Sequence, residues 1–453
     1  MRSTAALMLL SACSVPGQKT PDEVTLTCSA EVDPEVSTLI NVTWEAPEGS
    51  TSWVEFSANL EESQATNPVE DTDVALELIG LPASTSVAWT AISERDGERW
   101  TCEGTTTTGA LPEGISDWTV SVAAEDPTEF PRFMLVVLNG DDGVSRIIGV
   151  DRLGRIVWYA PEDTSGVTVQ ARLTLDGTAV TYNLFGRLDD NAESYLKTIS
   201  MGGDLLDQAI TPGAHHMFTE LPGRIYAYQS TEIRDYPNPT TGEVEPWVGD
   251  TVMEINADHE VRAVFNLWDW QDPEESDRTY DGDGTVTAAD WSHGNGLRYD
   301  PDTDTYLLSL GNLGEIIEIA RSNGTPTRIF GNHGYEVEGG DPIYFQHDPR
   351  LLDNGNLTMF RTDQTTAMVG AYEYAVDDAN QTLTPVWVYS PQIQSEFLGQ
   401  VRRLDNGNTW VNFGEGGVVR EVSSSGETLW EVTPPEGMTL AQVQCLYNFY
   451  GSP

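Results

Sequence analysis

Six histidines are all the imidazoles in this chain. Three short segments set four of them beside other polar groups: His215-His216, Asp290-Trp291-Ser292-His293-Gly294-Asn295 and Phe345-Gln346-His347-Asp348. Near neutral pH an imidazole offers a lone pair for nucleophilic attack or carries a proton. A neighbouring amide such as Asn295 donates to oxygens that gain charge as a bond breaks. What these groups do depends on whether the fold gathers them.

The elements that must position them read as strands. Leu297 to Leu310 alternates, turns at Asp300-Pro301-Asp302 and alternates again, which places His293 at the mouth of a β-element. From Pro131 onward one theme recurs, an inner hairpin around a Gly turn followed by an outer hairpin. Its outer halves are VSRIIGVDRLGRIVWYAP, YLKTISMGGDLLDQ, TVMEINADHEVRAVFNLW, GEIIEIARSNGTPTRIFGN, AYEYAVDDANQTLTPVWVYSP and VVREVSSSGETLWEVTPP. Six copies predict a six-bladed β-propeller over residues 115–453. Counted back from the inner-strand leucines Leu221, Leu297 and Leu351 or Leu352, His216, His293 and His347 occupy nearly the same place on three consecutive blades. They are expected to converge at the central channel, with His215 flanking them. The plainer reading is satisfied core histidines, but propeller interiors are otherwise filled by aliphatic and small residues. His259 and His333 fall in outer turns, where solvation accounts for them.

The totals agree with an all-β chain. The apolar fraction of 39% is ordinary, Gly and Pro are plentiful, and long helical periodicity is absent. A formal charge of -49, with Lys19 and Lys197 the only lysines, excludes nucleic acid as a partner. Such acidity suits a saline exterior or simply a solvated surface. Residues 1–12 carry Arg2 and a short apolar core, too short to span a bilayer but suited to export. Leu10-Ser11-Ala12-Cys13 resembles the lipobox of bacterial lipoproteins. That resemblance implies cleavage before Cys13, lipid on its thiol, and anchorage to a membrane of the cell envelope, at the outer membrane, in the periplasm or at the cell surface. Residues 13–23 then form a tether.

Residues 24–110 show short alternating strands, as in a small β-sandwich of the fibronectin III or Ig-like kind. The run LELIGLPASTSVAWTAIS, with Trp44 on an early strand, resembles a fibronectin type III domain, although the usual Tyr of the late strand is missing. Cys28 lies on the first strand and Cys102 on the last, and these edges approach in such sandwiches. In an oxidising compartment the two are expected to form a disulfide contributing about 4 kcal/mol. Nothing in this domain looks catalytic, so it reads as a spacer or docking module. Cys445 has no evident partner.

Over the propeller, DWSHGN followed by YDPDTDTYLLS, then QHDPRLLDNGN about fifty residues later, resembles the bacterial arylsulfate sulfotransferase family. The resemblance implies sulfuryl transfer from a phenolic ester to a phenol through a sulfated histidine, with no nucleotide sulfate donor and no required cofactor. By position His347 matches the histidine that takes the sulfuryl group, and His293, Asn295 and His216 match groups around the sulfate oxygens. The family usually carries an Arg in the strand after the second histidine, where this chain has Gly311 within Ser309-Leu310-Gly311-Asn312-Leu313. A guanidinium clamps sulfate bidentately and a glycine cannot. Arg350, Arg361 and Arg402 are candidates to reach in instead, with Trp291 and Gln346 as further substrate-binding candidates. Ordinary pairing with the abundant acids is the rival reading of those arginines.

Asp281-Gly282-Asp283-Gly284, ending at Asp290, has spacing like a calcium loop, with Asp281, Asp283 and Asp290 as ligands. Aligning its glycine puts Thr279 where the first acid belongs, so an Asp-Gly turn is the alternative. Two other functions stay open: a non-catalytic binding propeller that lost turnover with the arginine, and an aryl sulfate hydrolase in which water discharges the adduct.

Overall fold

In the computed structural model of the protein, residues 23–59, 63–161, 164–185, 193–238, 240–273, 279–281, 287–339, 342–363, 366, 368–395 and 397–451 are described. Cys13 lies outside them, as does Asp283. The described secondary structure is strand apart from two three-residue 3-10 turns, as the sequence predicts. No described helix is long and apolar enough to cross a membrane.

Two sheets form the N-terminal region. One has five strands in the order Glu23–Thr25, Glu98–Thr107, Ser86–Arg95, Thr51–Ala58 and Gln64–Ala65; the other has Cys28–Val32, Ile40–Glu45 and Asp73–Leu78. Alternation explains their packing. Ile40, Val42 and Trp44 on one strand and Val54 and Phe56 on another turn inward to one apolar core, while Thr43 and Glu55 between them face water. Trp44 Nε1 donates to Ser93 Oγ at 2.9 Å, so the ring is buried without an unmet polar group. The Cys28 and Cys102 thiols are close enough to hydrogen-bond and are not bridged; burial first, then Cys102, pushes the Cys28 thiol up to about 12.

Six sheets follow, each built on an antiparallel meander of four strands, two of them with a further strand added in parallel. The innermost strands are Met438–Leu446, Ala171–Leu173, Ala214–Leu221, Gly294–Asp300, His347–Leu351 and Gln400–Arg403. Successive ones touch, among them Met438–Leu446 with Ala171–Leu173 and Gly294–Asp300 with both of its neighbours, so they stand around a common axis as in a propeller. The chain closes the ring from both ends. Its last strand, Met438–Leu446, is innermost in the first sheet beside Phe133–Gly140, and Thr119–Val122 forms the outer edge of the last sheet beside Thr428–Thr433. Closure of this kind ties the two ends of the ring together.

The two regions are joined at the end of the closing strand. Tyr450, four residues past Leu446, donates from its hydroxyl to Glu77 O at 2.9 Å, accepts from Ile79 N at 3.0 Å, and meets the Phe56 ring edge-on. A separate cleft at this junction is lined by Arg132, Phe133, Asp151 and Arg155 and contains none of the histidines.

Candidate active site

The three predicted histidines do come together, and a repeated backbone irregularity puts them there. The innermost strands of the third, fourth and fifth sheets each slip register, between Ala214 and Phe218, Gly294 and Gly296, and His347 and Arg350. A bulge kinks its strand and re-aims side chains, and bulges are common beside active sites. His216 (φ 53°), His293 (φ 50°), Phe345 (φ 43°) and Asp348 (φ 50°) all adopt the left-handed conformation. That region is costly for residues other than glycine, so the surrounding structure must hold them.

The rings form one continuous array. His215 and His216 meet at 5.0 Å between centroids, His216 and His293 at 5.1 Å, His293 stacks on Phe345 at 5.4 Å, and Phe345 meets His347 edge-on at 5.4 Å. Asn295 Nδ2 reaches to 3.4 Å from His347 Nε2, and Ser309 Oγ lies 2.8 Å from Asn295 Oδ1, which orients the amide. His347 is buried, whereas His215, His216 and His293 are half-buried.

Two carboxylates fix the flanking imidazoles. Asp290 accepts from the His293 backbone N–H at 2.9 Å and stands 2.7 Å from His293 Nδ1. The ring is thereby oriented with Nδ1–H toward Asp290 and Nε2 left for the pocket. Asp250 lies 2.9 Å from His215 Nε2, a contact held by charge and distance more than by alignment, and accepts from Ser292 Oγ at 2.5 Å and Gly294 N at 2.6 Å. Burial works against a charge on His215, yet Asp250 more than offsets it and holds His215 above the usual imidazole range. His216 goes the other way: burial, then the charges of His215, His293 and His347, keep it well below that range.

The 2.7 Å contact between His215 Nδ1 and His216 Nδ1 needs one donor and one acceptor. A charged His215 donates to a neutral His216, which then carries its own proton on Nε2. The cluster thus favours a proton on His215 over His216 and sets the imidazoles and the Asn295 amide around His347.

Other predicted residues are placed elsewhere. Trp291 is fully buried, edge-on to Trp268 at 5.5 Å in the apolar core, behind the pocket rather than in it. Gln346 is also buried; its Nε2 donates to Glu315 O at 2.6 Å and Leu310 O at 3.2 Å, so it ties two sheets together. Arg361 sits on the second strand of its sheet, over the Tyr372 ring at 4.7 Å, and donates to Tyr374 at 3.0 Å. Arg350 pairs with Asp348 at 3.3 Å, and Arg402 stacks over Phe130 at 4.6 Å, both further along the channel than the histidines. Asp290 holds His293 through its carboxylate, and Asp281 ends the strand Thr279–Asp281; the rest of the loop between them, with Asp283, lies outside the described residues. His259 and His333 are exposed enough to pair with Asp207 and Glu315.

Two features escaped the sequence reading. Phe345 supplies an aromatic wall between His293 and His347, and only its place in the QHD motif hinted at it. Gly311 is not simply a missing arginine: a Cβ there would stand 2.7 Å from Asn295 Nδ2 and 3.1 Å from the Phe345 ring. Its N–H donates to His293 O at 2.8 Å. The site is packed around a glycine.

A family model described as Arylsulfotransferase (ASST) matches residues 119–449, which begins and ends with the closed ring of sheets. The chain belongs to the arylsulfotransferase family. No curated protein matches it. Among solved structures, the Pseudomonas aeruginosa periplasmic gluconolactonase PpgL is similar at 12% identity and a TM-score of 0.41, over 69% of this chain and 98% of that one. A putative oxidoreductase (glucose dehydrogenase) from Thermus thermophilus is similar at 12% identity and a TM-score of 0.31, over 71% of this chain and 99% of that one. Likenesses this distant bear on neither substrate nor mechanism.

Proposed function

We propose that this arylsulfotransferase-family protein moves a sulfuryl group from an aryl sulfate ester to a phenol through a sulfated His347. The observation that carries the reading is the position of His347 Nε2, 3.4 Å from the Asn295 amide with His216, His293 and Phe345 around it. In the first half the Nε2 lone pair attacks sulfur, an N–S bond forms, and the S–O bond to the aryl group breaks to release phenolate. In the second half the acceptor's oxygen attacks sulfur, its proton leaves to solvent, and the N–S bond breaks. Two displacements of modest difficulty replace one hard one.

Asn295 and the N–H of His216 meet the sulfuryl oxygens, while Asp290 holds the His293 ring beside them. Each such donor is worth roughly 3 kcal/mol in the transition state. The His215 imidazolium supplies a positive charge at a site where the family's guanidinium is absent, and Phe345 gives the aryl ring a face to stack on. The same reading places the protein outside the cytoplasm, held by lipid on Cys13, with the N-terminal sandwich as spacer.

Incubation with a chromogenic aryl sulfate, with and without phenol, tests the reaction. Sulfated phenol as the product supports transfer. Inorganic sulfate at the same rate in both mixtures makes the protein a hydrolase, and no turnover in either makes it a binding propeller.

A further inference from the structure

Deeper in the channel each innermost strand contributes one residue at nearly the same rung. Arg172 pairs with Thr181, Glu220 with Tyr226, Arg350 with Thr358, Arg402 with Trp410 and Cys445 with Met134, each one rung before the last, and Arg298 with Leu307 is one rung further in. These positions lie three to five residues beyond His347, His216 and His293, roughly 10–16 Å along a strand. Four guanidiniums and two neutral or acidic groups therefore ring the axis below the histidines.

Their charges are poorly balanced. Asp348, fully buried, accepts from Arg298 Nε at 2.8 Å, lies 3.3 Å from Arg350, and also accepts from Val401 N at 3.3 Å. Among the described residues neither Arg172 nor Arg402 forms an ion pair. The guanidiniums feel one another: burial and then Arg350 push Arg172 down to about 10 and Arg298 down to about 9. A guanidinium keeps its proton in a protein, so repulsion of this kind is relieved by an anion instead. Side chains of Arg298 and Arg350 keep 18% and 23% of their exposure, so solutes reach them.

We propose that Arg172, Arg298, Arg350 and Arg402 form a second anion site in the channel, distinct from the histidine cluster, that holds a small tetrahedral oxyanion, sulfate or phosphate. Guanidinium forks match such oxygens bidentately. Against a chain charge of -49, the ring is also a local positive potential that draws anions into the channel. The site does not depend on the sulfuryl-transfer reading, because it uses other residues.

The test is titration of the full chain with sodium sulfate, and separately with phosphate, at ionic strength fixed with chloride. Wild type is compared with Arg172→Gln/Arg402→Gln, which leaves no carboxylate orphaned, and with His347→Ala. The site predicts that sulfate or phosphate binds wild type and His347→Ala alike and binds the double variant at least about tenfold more weakly. Equal binding by wild type and the double variant overturns it, as does loss of binding in His347→Ala alone. A crystal soaked in selenate gives a readout free of variants: anomalous density among the four arginines supports the site, and density only at the histidines contradicts it.

Discussion

Asn295 Nδ2 stands 3.4 Å from His347 Nε2, too far for a strong hydrogen bond and close enough to meet an oxygen carried on that nitrogen. Asn295→Ala is therefore expected to lower kcat for aryl sulfate turnover by about 100-fold or more while leaving the melting temperature within a few degrees. Steady-state kinetics with a circular dichroism melt check it. A rise in KM alone, with kcat kept, makes Asn295 a binding residue only.

Gly311 makes the opposite demand. Its Cβ position is 2.7 Å from Asn295 Nδ2, so restoring the family's side chain by Gly311→Arg displaces that amide before any guanidinium reaches sulfate. Gly311→Ala and Gly311→Arg are both expected to lose activity. Gain of turnover in Gly311→Arg refutes this account of the departure from the family pattern.

The His215–Asp250 pair gives a pH signature. His215 is raised above its ordinary value, so its contribution to stability is full below about pH 6.5 and is lost as pH rises through the folded value. Burial opposes the Asp250 carboxylate but His215 and Ser292 hold it below its ordinary value, so its share is present above about pH 4 and is lost as pH falls. The pair is thus most stabilising in mildly acidic solution. Asp250→Asn removes this dependence, and Asp250→Ala costs about 3 kcal/mol by leaving His215 buried without its partner. Denaturant unfolding from pH 4 to 9 measures both, and parallel curves for wild type and Asp250→Asn refute the assignment.

Much of this was legible in the sequence because its signal is periodic. Hairpin repeats announce sheets whichever residues fill them, and three histidines at one repeat position announce convergence. What resisted reading was direction. Trp291 and Gln346 sit beside functional groups, yet both lie in irregular segments just before an innermost strand, where no two-residue alternation fixes a side chain's direction, and both turn into the core. Register slips at the bulges also shift which side chain meets the axis, which no spacing rule on one sequence supplies. The arginine ring was half visible: Arg350 and Arg402 drew attention, but for the wrong level of the channel, and Arg172 and Arg298 did not.

Cys28 and Cys102 lie close enough for their thiols to hydrogen-bond, on strands of opposite sheets. Under oxidising conditions they are expected to join, the oxidant taking two electrons, with loss of two hydrogen atoms by intact mass, protection from alkylation and stabilisation of about 4 kcal/mol. Free alkylation of both thiols after mild oxidation counts against it.

The central claim is that His347 carries the group. Mixing the protein with an aryl sulfate in the absence of phenol, quenching within one turnover and mapping peptides by mass spectrometry tests it directly. The account predicts an added sulfuryl group on the peptide holding His347, discharged by phenol and absent from His347→Ala. Turnover that persists in His347→Ala, or a sulfuryl group found on another residue, contradicts it.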